Sequence, residues 1–241
     1  MAKRRKAKHT AADQQPTTAI EPRSGATDPL ASAITTEPLP EPGFAALSRA
    51  AKTELQRLYQ LARTNPRAAI PQLMAALLRY PQVSSIFNYL FVAYSAIGDT
   101  KRAEAIILEN LRLHPDYLFA RVNYAEICLG RGEPDKVPEI LGEHLDLREL
   151  YPERDRFHVS EVVGFYGVVG FHYWQTGRPE QAALCYDLLR RLAPQHQLTQ
   201  RLEAKLQAGW WQRLLGGRQG VGNCGDITQD NADPAMSSAP G

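Results

Sequence analysis

The sequence predicts an all-α protein of stacked helix-turn-helix units, and three observations carry that prediction. Apolar residues recur at helical spacing in blocks of about 12 to 16 residues, separated by short clusters of Gly, Pro, Asp and Thr. The breakers themselves recur: Tyr80-Pro81 and His114-Pro115 lie 34 residues apart, and Ala193-Pro194 closes a later block of the same design. No stretch sustains a period of two, so strands are not expected.

Residues 1–43 hold many Pro, Thr, Ala and Glu and few large apolar groups. They cannot bury enough surface to offset chain entropy and are expected to be disordered. The same holds for 216–241, rich in Gly, Asp and Asn, which leaves a helical domain over 44–215. Within it Phe87, Leu90, Phe91 and Tyr94 form one stripe that ends at Gly98, with Asp99 or Thr100 placed to cap the next helix. Ala103, Ile106, Ile107, Asn110 and Leu111 make the partner stripe before Pro115 breaks the chain. Pro115 and Pro194 are 79 residues apart, more than two periods, so residues are inserted around Leu147–Ser160, as a lengthened helix and a loop. Beyond Pro194, Leu198, Leu202, Leu206, Trp210 and Leu214 fall four apart, as in a terminal helix that covers the last unit.

This pattern resembles the tetratricopeptide repeat family, which places bulky residues at positions 4, 7, 11 and 24, small ones at 8, 20 and 27, and proline at 32. A repeat from Ser84 matches at Phe87, Leu90, Tyr94, Ala103, Ile107 and Pro115, and departs at Phe91 and Asn110. A repeat from Val163 matches at Tyr166, Val169, Gly170, Tyr173, Ala182, Tyr186 and Pro194, with Gly177 at the turn, and departs at Leu189. Looser units start at Ala50 and at Leu118, the latter with Arg121 and His144 where the pattern asks for other residues. The resemblance covers about residues 50–195 and implies an α-solenoid of about four repeats with a C-terminal capping helix.

In that family the first helix of each pair lines a concave groove. The resemblance places Asn88 and Val92, then Phe119, Val122, Asn123 and Glu126, then Gly164, Gly167, Phe171 and Trp174 on this face. The expected partner is a protein helix or an extended peptide with apolar anchors, unless the insertion or the N-terminal segment fills the groove. Of the residues with which some members clamp a carboxylate terminus, only Asn123 is present. The implied role is a scaffold or adaptor. Gly164 and Gly167 raise a specific question, because each interior glycine costs a helix about 1 kcal/mol against alanine. On an open groove they would admit a partner's backbone, and Gly167→Leu would then block a partner while sparing the fold.

Composition and motifs narrow the alternatives. Lys3, Arg4, Arg5, Lys6 and Lys8 form a basic cluster. Without its five charges the chain keeps 23 Lys and Arg against 26 Asp and Glu. A nucleic-acid footprint over the folded domain is therefore not expected, whereas the cluster itself fits contact with RNA, DNA or an anionic surface, as in a nucleic-acid- or ribosome-associated factor. No run reaches the roughly 18 apolar residues of a membrane span, and a cytoplasmic location is expected. The glycines of 164–170 are spaced G-x-x-G-x-x-G, not the G-x-G-x-x-G of dinucleotide sites. Cys128, Cys185 and Cys224 lack paired spacing. His158 and Glu161 read as a cap for a helix starting near Val159, with Ser160 contributing; His172 is about 21 Å further along and completes no metal site with them. No catalytic group, metal or cofactor is expected, and the chain reads as a non-enzyme.

Overall fold

The structure is a computed structural model that describes residues 33–39 and 41–216, with side chains as far as residue 208. Among these residues the chain is mainly helical, as the periodicity predicts. α1 (Pro42–Ala45) leads into α2 (Arg49–Thr64) and α3 (Pro66–Arg79), then α4 (Ser84–Ala96) and α5 (Thr100–Leu113), then α6 (Leu118–Gly130) and the short α7 (Lys136–Leu141). A one-turn α8 (Leu147–Leu150) precedes α9 (Val159–Gln175), α10 (Pro179–Leu192) and α11 (Gln197–Gly216).

Local chemistry sets the ends of these helices. The Ser48, Asn65 and Asp99 side chains accept from the amides of Ala51, Ala68 and Arg102 at 3.2, 3.3 and 3.1 Å, which satisfies first-turn donors of α2, α3 and α5. Gly98, Gly132 and Gly177 close α4, α6 and α9 with φ of 76, 74 and 73°, a conformation that favours glycine. Each long helix packs against the next, and α4 also packs on α2, α9 on α6, and α11 on α9. Two apolar cores result. Leu55, Leu58, Leu73, Ile86 and Leu90 centre the one built by α2–α5; Leu118, Leu141, Phe157, Phe165, Leu189 and Leu202 centre the one built by α6–α11. Each of these fully buried large side chains contributes about 2 kcal/mol relative to exposure.

Departures from the repeat pattern have structural uses. Asn110, at a small-residue position, is buried and its Nδ2 donates to the Ser84 carbonyl at 3.2 Å, which ties α5 to the start of α4. Arg121, at a bulky position, donates to the carbonyls of Pro115 and Ile140 at 2.8 and 3.0 Å and so binds both ends of the α6–α7 unit. α7 ends after six residues at Gly142, φ 91°.

Two expectations need correction. Strands are not wholly absent: β1 (Ile34–Thr35) pairs in parallel with β2 (Phe157–His158). The pairing also places residues 33–39, together with 41–43, which composition assigned to a disordered segment. Ala33 joins the second core, and Glu41 accepts from the Ser84 hydroxyl at 2.8 Å and the Ser85 amide at 3.3 Å. The segment therefore runs from the insertion before α9 to the start of α4, held by contacts more than 40 positions apart in sequence. The rest of 1–43 and the whole of 217–241 lie outside the described residues, Cys224 among them.

Both described cysteines are buried, Cys128 fully and Cys185 against the α9 face; burial pushes the Cys185 thiol up to about 12. Neither presents a thiolate at neutral pH. Iodoacetamide is expected to label Cys185 in the native protein only as fast as the domain unfolds. Rapid labelling at pH 8 without unfolding would show that this helix interface is open.

Candidate functional site

The sequence-selected groove residues lie on α4, α6 and α9, and they do not form one open surface. Asn123 Nδ2 donates to Asn88 Oδ1 at 2.6 Å, joining α6 to α4, with Val92 half-buried on α4 one turn further on. Val122 is buried, and its Cγ1 lies 3.5 Å from where a Cβ on Gly164 would stand, so this pair forms the α6–α9 contact. Phe119 is half-buried at the start of α6 and faces a cleft.

At the C-terminal end the face expected to be open is covered by α11. A Cβ on Gly167 would lie 2.8 Å from Leu198 Cδ1 and 3.1 Å from Leu198 Cβ; one on Gly170 would lie 2.6 Å from Leu202 Cδ2 and 3.1 Å from Cys185 Cβ. The glycines thus seat two leucines of this chain's own helix. Arg201 reaches back from α11 to Glu126 at 2.9 Å and stands 5.1 Å over the ring of buried Phe171. Lys205 stands 4.9 Å over half-buried Trp174. Glu126, Gly167, Phe171 and Trp174 are therefore already engaged internally.

What stays open is a cleft of about 1060 Å³ beside the N-terminal ends of α4, α6 and α9. Its walls carry Tyr59 of α2, Tyr89 of α4, and Tyr117 and Phe119 at the start of α6; Pro38, Leu39, Glu41 and Pro42 and, from the stretch before and into α9, Arg154–Arg156, His158, Ser160 and Glu161 form its rim. The Tyr59 and Tyr89 rings are 4.8 Å apart and tilted, and the Tyr117 and Phe119 rings are 5.8 Å apart. Burial raises the Tyr89 phenol, opposed by the nearby Ser85 side chain and reinforced by the Glu41 carboxylate. Burial also pushes Tyr117 well above its ordinary value, with Glu41 again adding to it. These phenols stay protonated at neutral pH. They offer ring faces and neutral hydroxyls, not nucleophiles.

The rim is fixed by an ion pair. Arg154 donates to both Glu161 oxygens at 3.1 and 2.7 Å and stacks 4.5 Å from the Phe157 ring centre. Glu161 also accepts from the His158 amide at 2.8 Å, and the His158 ring accepts from the Ser160 amide at 3.2 Å, so these three residues cap α9 as the sequence predicts. His172 sits elsewhere: buried, its Nδ1 meets the Pro134 carbonyl at 3.0 Å and its Nε2 meets Arg178 at 2.7 Å. Among the described residues no three metal-ligating side chains converge.

Burial lowers the His172 pKa, opposed by the Pro134 carbonyl and assisted by the Arg178 charge, so the folded protein holds a neutral ring. The unfolded chain then binds the proton more readily, and stability is full above about pH 6.5 and lost as pH falls from there through the folded value. The melting temperature of the wild type is expected to drop more between pH 7.5 and pH 5 than that of His172→Gln. Equal drops would remove this residue from the acid sensitivity.

Phe119, Asn88 and Asn123 were legible in the sequence as single positions, whereas the Asn88–Asn123 contact and Tyr59, Tyr89, Tyr117 and Glu41 were not. Tyr89 directly follows Asn88, and Tyr117 and Phe119 flank a helix start, so aromatic density beside the groove register was the readable signal. Nothing local marks Glu41. Lys3, Arg4, Arg5, Lys6 and Lys8 lie outside the described residues. No helix among those described is long and apolar enough to cross a membrane. Compared with family models, curated proteins and solved structures, the chain matches none.

Proposed function

We propose that this chain is a tetratricopeptide-like α-solenoid whose work is to bind a protein partner, holding a peptide segment in the cleft between Tyr59, Tyr89, Tyr117 and Phe119 and the 154–161 rim. The carrying observation is the cleft itself: half-buried aromatic rings from three successive first helices line one volume large enough for several side chains. Rings in such settings dominate binding energy, because they bring large rigid area at little entropic cost. Support for the repeat reading comes from the 34-residue recurrence, the glycine turns after α4, α6 and α9, and the small residues at helix crossings. The docking surface is displaced from the expected groove centre toward its N-terminal units, since α11 covers the last one.

The proposal includes no chemistry on the partner. The described cysteines are buried, the Tyr89 and Tyr117 phenols stay protonated, and Glu161 is locked by Arg154. A photo-crosslinking side chain in place of Phe119 tests the reading: in cells it is expected to capture a discrete protein. The same group in place of Leu78, 85% exposed on α3, is expected to capture none in common. Identical products from both positions would sink the proposal.

A further inference from the structure

The chemistry of the cleft specifies what its ligand must bring. Four aromatic rings supply electron-rich faces, one of them, Tyr59, already carrying Arg63 at 5.8 Å from its centre. The lining charges are Glu41, Asp116, Asp155 and Glu161 against Arg154 and Arg156, four negative and two positive. Arg154 is consumed by Glu161. Asp116 has only a distant contact with Arg121, at 3.9 Å. Glu41 accepts from a hydroxyl and an amide, and no described cation pairs with it. Its charge nevertheless reaches both Tyr89 and Tyr117. A carboxylate without a counter-ion, among ring faces and partly withdrawn from water, is a site that a cation completes and an anion does not.

We propose that the cleft receives a lysine or arginine side chain from a partner peptide, laid against the Tyr89, Tyr117 and Phe119 rings with Glu41 as its counter-charge. This rests on the cleft being a peptide site. It adds the class of residue recognised. The ammonium or guanidinium head gains ring faces and a carboxylate while its methylene stem covers apolar wall, the division of labour that long cationic side chains make at protein surfaces.

A randomised peptide library selected on the immobilised full-length protein tests it. The expected result is a fixed Lys or Arg at one position of the selected sequences. A selected peptide should lose tenfold or more in affinity when that residue becomes norleucine. Two variants should produce a similar loss: Glu41→Gln, which keeps the oxygen that accepts from Ser84 and Ser85, and Tyr89→Leu, which leaves that contact untouched. Selected peptides that bind equally well with norleucine, yet still fail against Tyr89→Leu, would overturn the cation and leave the cleft as an apolar peptide site. No selected sequence at all would overturn both. Binding seen only after removal of residues 1–32 would assign the cleft to this chain's own Lys3–Lys8 cluster and overturn a partner in trans.

Discussion

Phe157→Ala is expected to destabilise the domain by about 3 to 5 kcal/mol, the usual cost of emptying a fully buried phenylalanine site. Phe157 is completely buried, its ring carries the Arg154 guanidinium at 4.5 Å, and its backbone pairs with Ile34 in the β1–β2 ribbon. Removing the ring leaves a cavity in the second core and takes away the platform on which Arg154 stacks. The loss therefore reaches past stability: Arg154 holds Glu161, and Glu161 caps α9 and forms the cleft rim. Urea unfolding measures the first effect, and proteolysis near 150–158 reads the second. A change below 1 kcal/mol with an unchanged digestion pattern would mean that the insertion is a surface loop instead of part of the core.

The second large effect is at the glycines of α9, and it reverses what the groove register implies. Gly167→Leu is expected to cost roughly 2 kcal/mol net: overpacking of about 3 kcal/mol, offset by about 1 kcal/mol from better helix propensity. The clash is with Leu198, whose Cβ as well as its Cδ1 lies too close for a side chain at 167. Rotating the Leu198 Cδ1 away does not clear its Cβ, so the α11 backbone there must give as well. Gly164→Ala is the control, because its added methyl meets only Val122 Cγ1 at 3.5 Å, an ordinary contact. It should be neutral or stabilising by up to about 1 kcal/mol. Thermal unfolding of the two variants side by side decides the matter; an intact melting temperature for Gly167→Leu would mean that α11 does not rest on α9.

The sequence carried a good deal of this. Gly98 with Asp99, Gly177 before Pro179, and the Pro81, Pro115 and Pro194 breaks announce helix ends through local chemistry, and the structure puts ends there. The His158–Glu161 cap was legible for the same reason, since a cap depends on residues within one turn. What was not legible depends on contacts far apart in sequence. Glu41 meets α4 from 43 positions earlier, Ile34 finds Phe157, and Arg201 finds Glu126 across 75 positions. A two-residue strand has no periodicity to detect. The repeat register assigned Gly167 to a groove face, yet a register does not say what covers a face, and Gly167 is buried under α11. Leu198 and Leu202 were visible as an apolar stripe and the glycines as gaps, and only the fold shows that one fits the other.

Paired affinity capture tests whether the aromatic cleft holds a protein partner. Wild-type protein and a Tyr89→Ala, Phe119→Ala double variant, checked for matching circular dichroism, would be used as baits in one extract with nuclease present. A protein is expected to be retained by the wild type and lost from the folded variant. Equal retention by both baits, or retention that depends on nucleic acid alone, would contradict it.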